Sequence, residues 1–297
     1  MAYSLKPTKN TDLTTGVKRI AVSQISNAIN EIDDDDLPRA EKVHQLRKRC
    51  KKVRGLVRLV RPGFSAYDDE NAFFRDLAKR FSEIRDRTAF IEMINALESR
   101  FTDHLYAPVL GEARRQLKSR RADLSDEEVA TYLSDARDEL VAARRRVSDW
   151  EVDDDEADVL GDGMAKTYKR ARKAMAAAAE ARTPDSLHEW RKRVKYHMYH
   201  ARLLKRVWPA MMEPWISEAK TLSDHLGDHH DDAVFLDKML PKLAAPEKAS
   251  DILRGLLISD MQRHEEAAFA RGQFLLAEKP DAIAARFARY WTAARAR

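Results

Sequence analysis

The 297 residues allow one large domain or two of ordinary size, and only 9 Gly and 10 Pro leave few turns for a sheet-rich fold. Charged residues make up 35% of the chain, 54 Lys+Arg against 49 Asp+Glu, so the net +5 is mild and its distribution matters more than its sum. A single cysteine, Cys50, excludes an intramolecular disulfide and a cysteine-based zinc site.

The first residues hold no apolar stretch fit for a secretory signal, and no run reaches the roughly 18 apolar residues of a membrane span. The expectation is a soluble cytoplasmic protein that makes no membrane contact. Apolar residues recur with a helical period and no alternating strand pattern of useful length appears, which predicts an all-α fold.

In chain order, the first helix is expected over 12–31, followed by the acid run Asp33–Asp36. A second helix, 38–60, starts where Pro38 suits a first helical turn. Residues 39–61 hold ten Lys/Arg and one acid, Glu41. At about 100° per residue, His44, Arg47, Lys48, Lys51 and Arg58 share a stripe roughly 100° wide, with Gly55 inside it and Arg54 at its edge. Val43, Leu46, Cys50, Val53, Val57 and Val60 lie opposite, an apolar face able to pack in a bundle.

Next come helices over 68–106, broken near Arg85-Asp86, then 108–121 and 126–147, the last with Ser125 as cap and Glu128 at capping-box spacing. The acidic stretch 149–158 reads as a solvated linker between two halves, 10–148 and 158–297, of a single domain. A helix over 157–181 carries a third basic cluster, Lys166, Lys169, Arg170, Arg172 and Lys173, which either extends a site or is an exposed face.

The helix expected over 185–206 has Asp185/Ser186 as its cap after Pro184. It places His188, Arg191, Lys192, Lys195, Arg202 and Arg206 on one stripe, with Tyr199 among them. Leu187, Trp190, Val194, Ala201 and Leu204 lie opposite. His197 and His200 fall off the stripe as packed or surface residues, and Trp190, Trp208, Trp215 and Trp291 read as packing residues. Helices over 212–227, 229–243, 247–270 and 280–295 complete the chain.

The informative feature is duplication. His44-x-x-Arg47-Lys48-Arg49-x-Lys51 recurs as His188-x-x-Arg191-Lys192-Arg193-x-Lys195 at a constant offset (188 − 44 = 144; 202 − 58 = 144). Phe81-x-x-x-Arg85-Asp86 lines up in the same way with Leu226-x-x-x-His230-Asp231 (231 − 86 = 145). One such basic run is ordinarily a solvated helix face. Like charges at i, i+3 and i+4 repel, so two phase-matched stripes without interleaved acid call for a compensating partner.

A polyanion supplies that compensation. His44 to Arg58 spans roughly 21 Å of helix, which suits a rod-like or threaded ligand better than one phosphate. Arginine forks and lysine point charges both bind phosphate oxygens, and the first turn of a helix adds free N–H groups. The halves are expected to form two antiparallel bundles related by a pseudo-twofold axis, facing each other across a basic central pore or groove.

Val43 to Arg58 and Leu187 to Tyr196, together with Leu226-Gly227-Asp228-His229-His230-Asp231, resemble the paired signatures of the CHAD family, the conserved histidine α-helical domain. The resemblance spans nearly the whole chain. It implies an all-helical domain whose basic helices line a pore and bind inorganic polyphosphate, in some members at polyphosphate granules. It carries the family's basic positions onto His44, Arg47, Lys48, Lys51, Arg54 and Arg58, and onto His188, Arg191, Lys192, Lys195 and Arg202. Met198 and Tyr199 stand where the first half has Arg54 and Gly55, so the second half contributes less charge. Some relatives carry a triphosphate-tunnel domain with a Glu-x-Glu-x-Lys motif; no two glutamates here are spaced two apart, so a stand-alone binding module is expected.

The leading reading is therefore a non-enzymatic polyphosphate binder with no cofactor and no metal. A single-stranded nucleic-acid binder is the alternative, weakened because only Tyr196 and Tyr199 lie near the stripes as stacking platforms. A metal-dependent phosphohydrolase built on Asp228–Asp232 is a third reading, in which consecutive helical residues point in different directions. No GxxxxGK[ST] or GxGxxG loop is present.

Overall fold

The computed structural model describes residues 3–100, 107–119 and 126–297, without the side chains of 83–89, 117–119 and 126. Among the described residues there are eleven α-helices and no strand. Helix α1 (Leu13–Asp33) starts where the Asp12 side chain accepts from the Thr15 N–H, which satisfies one free donor of the first turn. Its buried face, Val17, Ile20, Ala21, Ile25, Ala28 and Ile29, packs on α2 (Arg39–Val60). The apolar face expected on α2 is buried in full, Val43 to Val60.

Helices α3 (Tyr67–Arg80) and α4 (Ser82–Arg100) separate at Phe81, several residues before the expected break at Arg85-Asp86. The Phe81 ring is buried and its N–H turns back to the Lys79 carbonyl, while Arg47 Nη1 takes the Ala78 carbonyl (2.7 Å) and the Ser82 hydroxyl (2.8 Å). A carbonyl left free at a helix end is thus satisfied by a basic side chain of the neighbouring helix. Helices α5 (Ala107–Ser119) and α6 (Asp126–Arg146) follow, and α6 packs on α1. The Ser125 cap and the side chains of Arg85 and Asp86 lie outside the described residues.

The stretch 149–158 is only partly the solvated linker expected. Asp153, Asp154 and Asp155 are exposed, but Trp150 and Val152 are buried and Thr14 exchanges hydrogen bonds with the Val152 backbone. Glu156, at the start of α7 (Glu156–Ala181), accepts from Leu13 N, Trp291 Nε1 and Arg295. An acid with three donors joins the ends of α1, α7 and α11, which makes this segment a packed connector.

Helix α8 (Pro184–Leu203) is capped by Thr183, in a capping box with Ser186, rather than by Asp185/Ser186. Pro184, which lacks an N–H, takes the first helical position, so the cap is the residue before it, two earlier than Asp185. The helix ends at Leu203 and a separate 3₁₀ turn, Lys205–Val207, carries Arg206, which is therefore not on the basic helix as expected.

Helix α9 (Pro209–Val234) runs through the expected break between 227 and 229. Gly227 serves close packing there, since a Cβ would lie 2.6 Å from Arg191 Nη2. A π-turn, Phe235–Met239, then leads by a short 3₁₀ turn to α10 (Glu247–Leu275) and α11 (Pro280–Arg295).

Neighbour relations repeat along the chain. Helix α2 packs between α1 and α3, α8 packs between α7 and α9, and the closing helices α6 and α11 lie on α1 and α7. The main apolar cluster draws on both halves, from Leu5 to Trp291. A second cluster joins α4 and α5 to Phe235, Met239 and the start of α10. Of the four tryptophans read as packing residues, Trp190 and Trp291 are buried and Trp215 partly so, but Trp208 is 46% exposed.

Candidate functional site

The two basic helices touch each other through their stripes. A Cβ on Gly55 would lie 3.1 Å from the Tyr199 Cβ and 2.9 Å from the Tyr3 hydroxyl, so α2 and α8 meet where α2 has no side chain. Residues 55 and 199 are equivalent in the repeat (199 − 55 = 144). The Tyr3 hydroxyl donates to the Lys52 carbonyl (2.7 Å), and the Tyr3 ring stands edge-on to Tyr199, so the amino-terminal segment buttresses the crossing.

On one side of the crossing, the Arg58 guanidinium lies 4.2 Å and that of Arg54 5.8 Å from the centre of the Tyr196 ring. Both donate through Nε to Asn71 Oδ1, at 3.1 and 3.4 Å. On the other side Arg202 acts on Lys52, the residue equivalent to Tyr196 (196 − 52 = 144). Burial, then Arg49, Lys48 and Arg202, bring the Lys52 ammonium down to about 8.

The inner arginines repeat a contact, each donating to a main-chain carbonyl of the next helix. Arg47 donates to the Ala78 carbonyl, and Arg191 Nε donates to the Ser223 carbonyl (3.3 Å), an acceptor one repeat away (223 − 78 = 145). Each stripe is thereby anchored to the helix that follows it. Lys48, Lys51 and Lys192 are exposed, Lys48 reaching Gln45 (3.2 Å) and Lys192 pairing with Glu189. Lys192 therefore has an acid within the stripe, and that exposed pair adds little stability.

His44 and His188 are half-buried. His188 stacks on His230 of α9, ring centres 3.9 Å apart. Burial, then His188 and Arg191, hold His230 down to about 4, and burial with Lys192 and Arg191 lowers His188. Lys195 is brought to about 8 by burial and Arg191, against the pull of Asp224 and Asp231. Burial raises Asp231, while Arg191 and Lys195 both act to lower it, so this acid sits in the field of the site. Arg206 is exposed on its 3₁₀ turn and acts on Arg19.

The third basic cluster divides. Lys166, Lys169, Arg170 and Lys173 are exposed, whereas Arg172 donates to the Glu278 carbonyl (2.8 Å). His197 and His200 are fully buried, His197 accepting from Trp215 Nε1 (2.8 Å). Sequence reasoning missed Asn71, Lys52 and His230 as parts of the site. The repeat register pointed to Lys52 and His230, but nothing in the sequence marks Asn71.

Among the described residues, Asp232 is the one member of the run Asp228–Asp232 that joins a set of donors with metal-like spacing, together with Asp260 and His264 of α10. Arg100 occupies that set, its two terminal nitrogens donating to Asp232 Oδ1 (2.5 Å) and Asp260 Oδ2 (2.7 Å). The guanidinium supplies the positive charge that buried Asp232 and partly buried Asp260 require.

The CHAD domain family model matches residues 21–240, which include both basic helices and the His230-Asp231 pair. The chain belongs to the CHAD domain family. The match runs from within α1 to the residue after the π-turn and leaves α10 and α11 beyond it. CHAD domains bind polyphosphate, and the CHAD domain is not itself a catalytic family. No curated protein matches the chain. No helix among the described residues is long and apolar enough to cross a membrane.

Proposed function

We propose that this CHAD domain is a non-enzymatic polyphosphate-binding protein that grips one chain with cations from both repeats. The observation that carries the reading is the contact of Gly55 with Tyr199 inside two phase-matched stripes. Cations from two separate helices meet there, and a phosphate polymer offers a line of negative charge to match them. His44, Arg47, Lys48, Lys51, Arg54 and Arg58 form one bank, and His188, Arg191, Lys192, Lys195 and Arg202 the other, with Arg206 at its margin. We place a pseudo-twofold axis through the crossing, with the chain as a single domain of halves 10–148 and 158–297. Residence in the cytoplasm, with recruitment to polyphosphate granules, belongs to the same proposal.

The aromatic neighbours favour phosphate over a nucleic acid. The Tyr196 face is covered by Arg58 and Arg54, and Tyr199 packs on Gly55 and Tyr3, so neither offers a free platform for a base. A phosphohydrolase reading gains no support from Asp232, which is tied to Arg100.

Competition decides between the ligands. Long polyphosphate is expected to displace single-stranded DNA of equal charge, with an affinity that falls steeply with salt as counterions are released. Equal affinity for both polymers counts against the proposal, and release of orthophosphate from polyphosphate with Mg²⁺ or Mn²⁺ revives the hydrolase. Charge reversal at Arg47 and Arg191 is a poor probe because both also hold main-chain carbonyls.

A further inference from the structure

At the carboxyl end of α2, Arg61 is a cation only 8% exposed, and no ion pair joins it to an acid among the described residues. Its Nε and one terminal amino group are buried with no hydrogen-bond partner there, and the Tyr67 hydroxyl contacts the rest of the fork. Two more arginines act on it, Arg170 of α7 and Arg58 one turn back on α2. Burial and Arg170 bring the Arg61 guanidinium down to about 10.

Among the described residues Arg61 is the one arginine that is buried outright, and several partly buried ones elsewhere are matched to acid. Arg295 meets Glu156, Arg100 meets Asp232 and Asp260, and Arg49 meets Glu31. A guanidinium taken from water beside two like charges is costly unless an anion joins it. We propose that Arg61 and Arg170, with Arg58 at their edge, form a subsite for a phosphoryl group, holding a short phosphate or the end of a longer chain.

The chemistry fits that class. Guanidinium forks match the oxygens of a tetrahedral dianion, and the Tyr67 hydroxyl adds a neutral donor. Arg170 is exposed and Arg58 half-buried, so the ligand reaches the subsite from the Arg170 side. The inference rests on the proposed phosphate track only for its place beyond Arg58. Binding of a short phosphate stands apart from it.

The test is calorimetric titration with pyrophosphate at fixed ionic strength. Wild-type protein is expected to bind it, and Arg170→Ala to bind about tenfold more weakly, as for loss of one charge-assisted contact. Arg61→Met is expected to lose binding while its melting temperature without ligand rises, because an uncompensated buried charge is gone. A Lys48→Glu/Lys192→Glu protein is expected to retain pyrophosphate even where it loses long polyphosphate, which separates failure of the subsite from failure of the track. Absence of pyrophosphate binding in the wild type, or undiminished binding by Arg170→Ala, overturns the inference. Arg170 is exposed, so that variant decides the matter even if Arg61→Met does not fold.

Discussion

Where α2 has Lys52, Arg54 and Gly55, α8 has Tyr196, Met198 and Tyr199 at the equivalent positions. Arg54 and Arg58 of α2 share a neutral acceptor, Asn71, whereas Lys192 of α8 pairs with Glu189 and Lys195 feels Asp224 and Asp231. Duplication therefore preserved the anchoring arginines and divided the other tasks. The first helix brings Arg54 and Arg58, and the second brings the Tyr196 ring on which both are set. An arginine placed on an aromatic face loses less freedom on binding than one free in solvent.

The largest expected effect comes from prising α7, the helix that precedes α8, away from α2. A Cβ on Gly163 of α7 would overlap the Leu59 carbonyl oxygen of α2, a backbone atom that cannot swing away. Gly163→Ala is expected to cost about 3 kcal/mol or more, lowering the melting temperature by roughly 6–10 °C in a scan of the unliganded protein. An unchanged melting temperature would mean that α7 and α2 are not held this closely.

The asymmetry between the helices is sharpened by truncating equivalent arginines. Arg58→Ala is expected to weaken polyphosphate binding about tenfold, since Arg58 is held by both Asn71 and Tyr196. Arg202→Ala, which also relieves repulsion with Lys52, is expected to cost only about threefold. Equal losses would remove the division of tasks.

A smaller effect is set by pH. His230, held at about 4, and His188, also lowered, are less protonated in the free protein than in an unfolded chain. Their contribution to stability is thus present above about 6.5 and lost as pH falls towards 4. A bound polyanion favours the protonated rings, so binding takes up protons and affinity rises from pH 7.5 to 5.5, by about threefold. His230→Phe is expected to flatten that profile in parallel calorimetric titrations. A steep profile in the variant would assign the protons elsewhere.

The helices and the buried faces of α2 and α8 were legible because a 3.6-residue period needs only local spacing to read. The stripes and their register were legible for the same reason. Local signals misled where a tertiary contact took over a residue's local role. The helix expected to end at 227 continues, with Gly227 a seat for Arg191, and Asp149–Asp158 looked like a solvated tether although Trp150 and Glu156 pack it down. Arg206 fell off its helix because α8 ends at Leu203, a boundary that periodicity sets only to within a few residues. Asn71 and the Arg61–Arg170 pair unite distant segments of the chain, so no spacing within one segment could announce them.

Charge reversal at one exposed lysine from each repeat tests the shared grip most directly. Lys48→Glu and Lys192→Glu, singly and together, should be titrated with long polyphosphate across a salt series, with melting temperatures to confirm that the fold is intact. Each single change is expected to weaken binding and to reduce the salt slope by about one or more, with the double variant losing most of the affinity. Binding that depends on one lysine alone, or on neither, would contradict a polymer held by both helices.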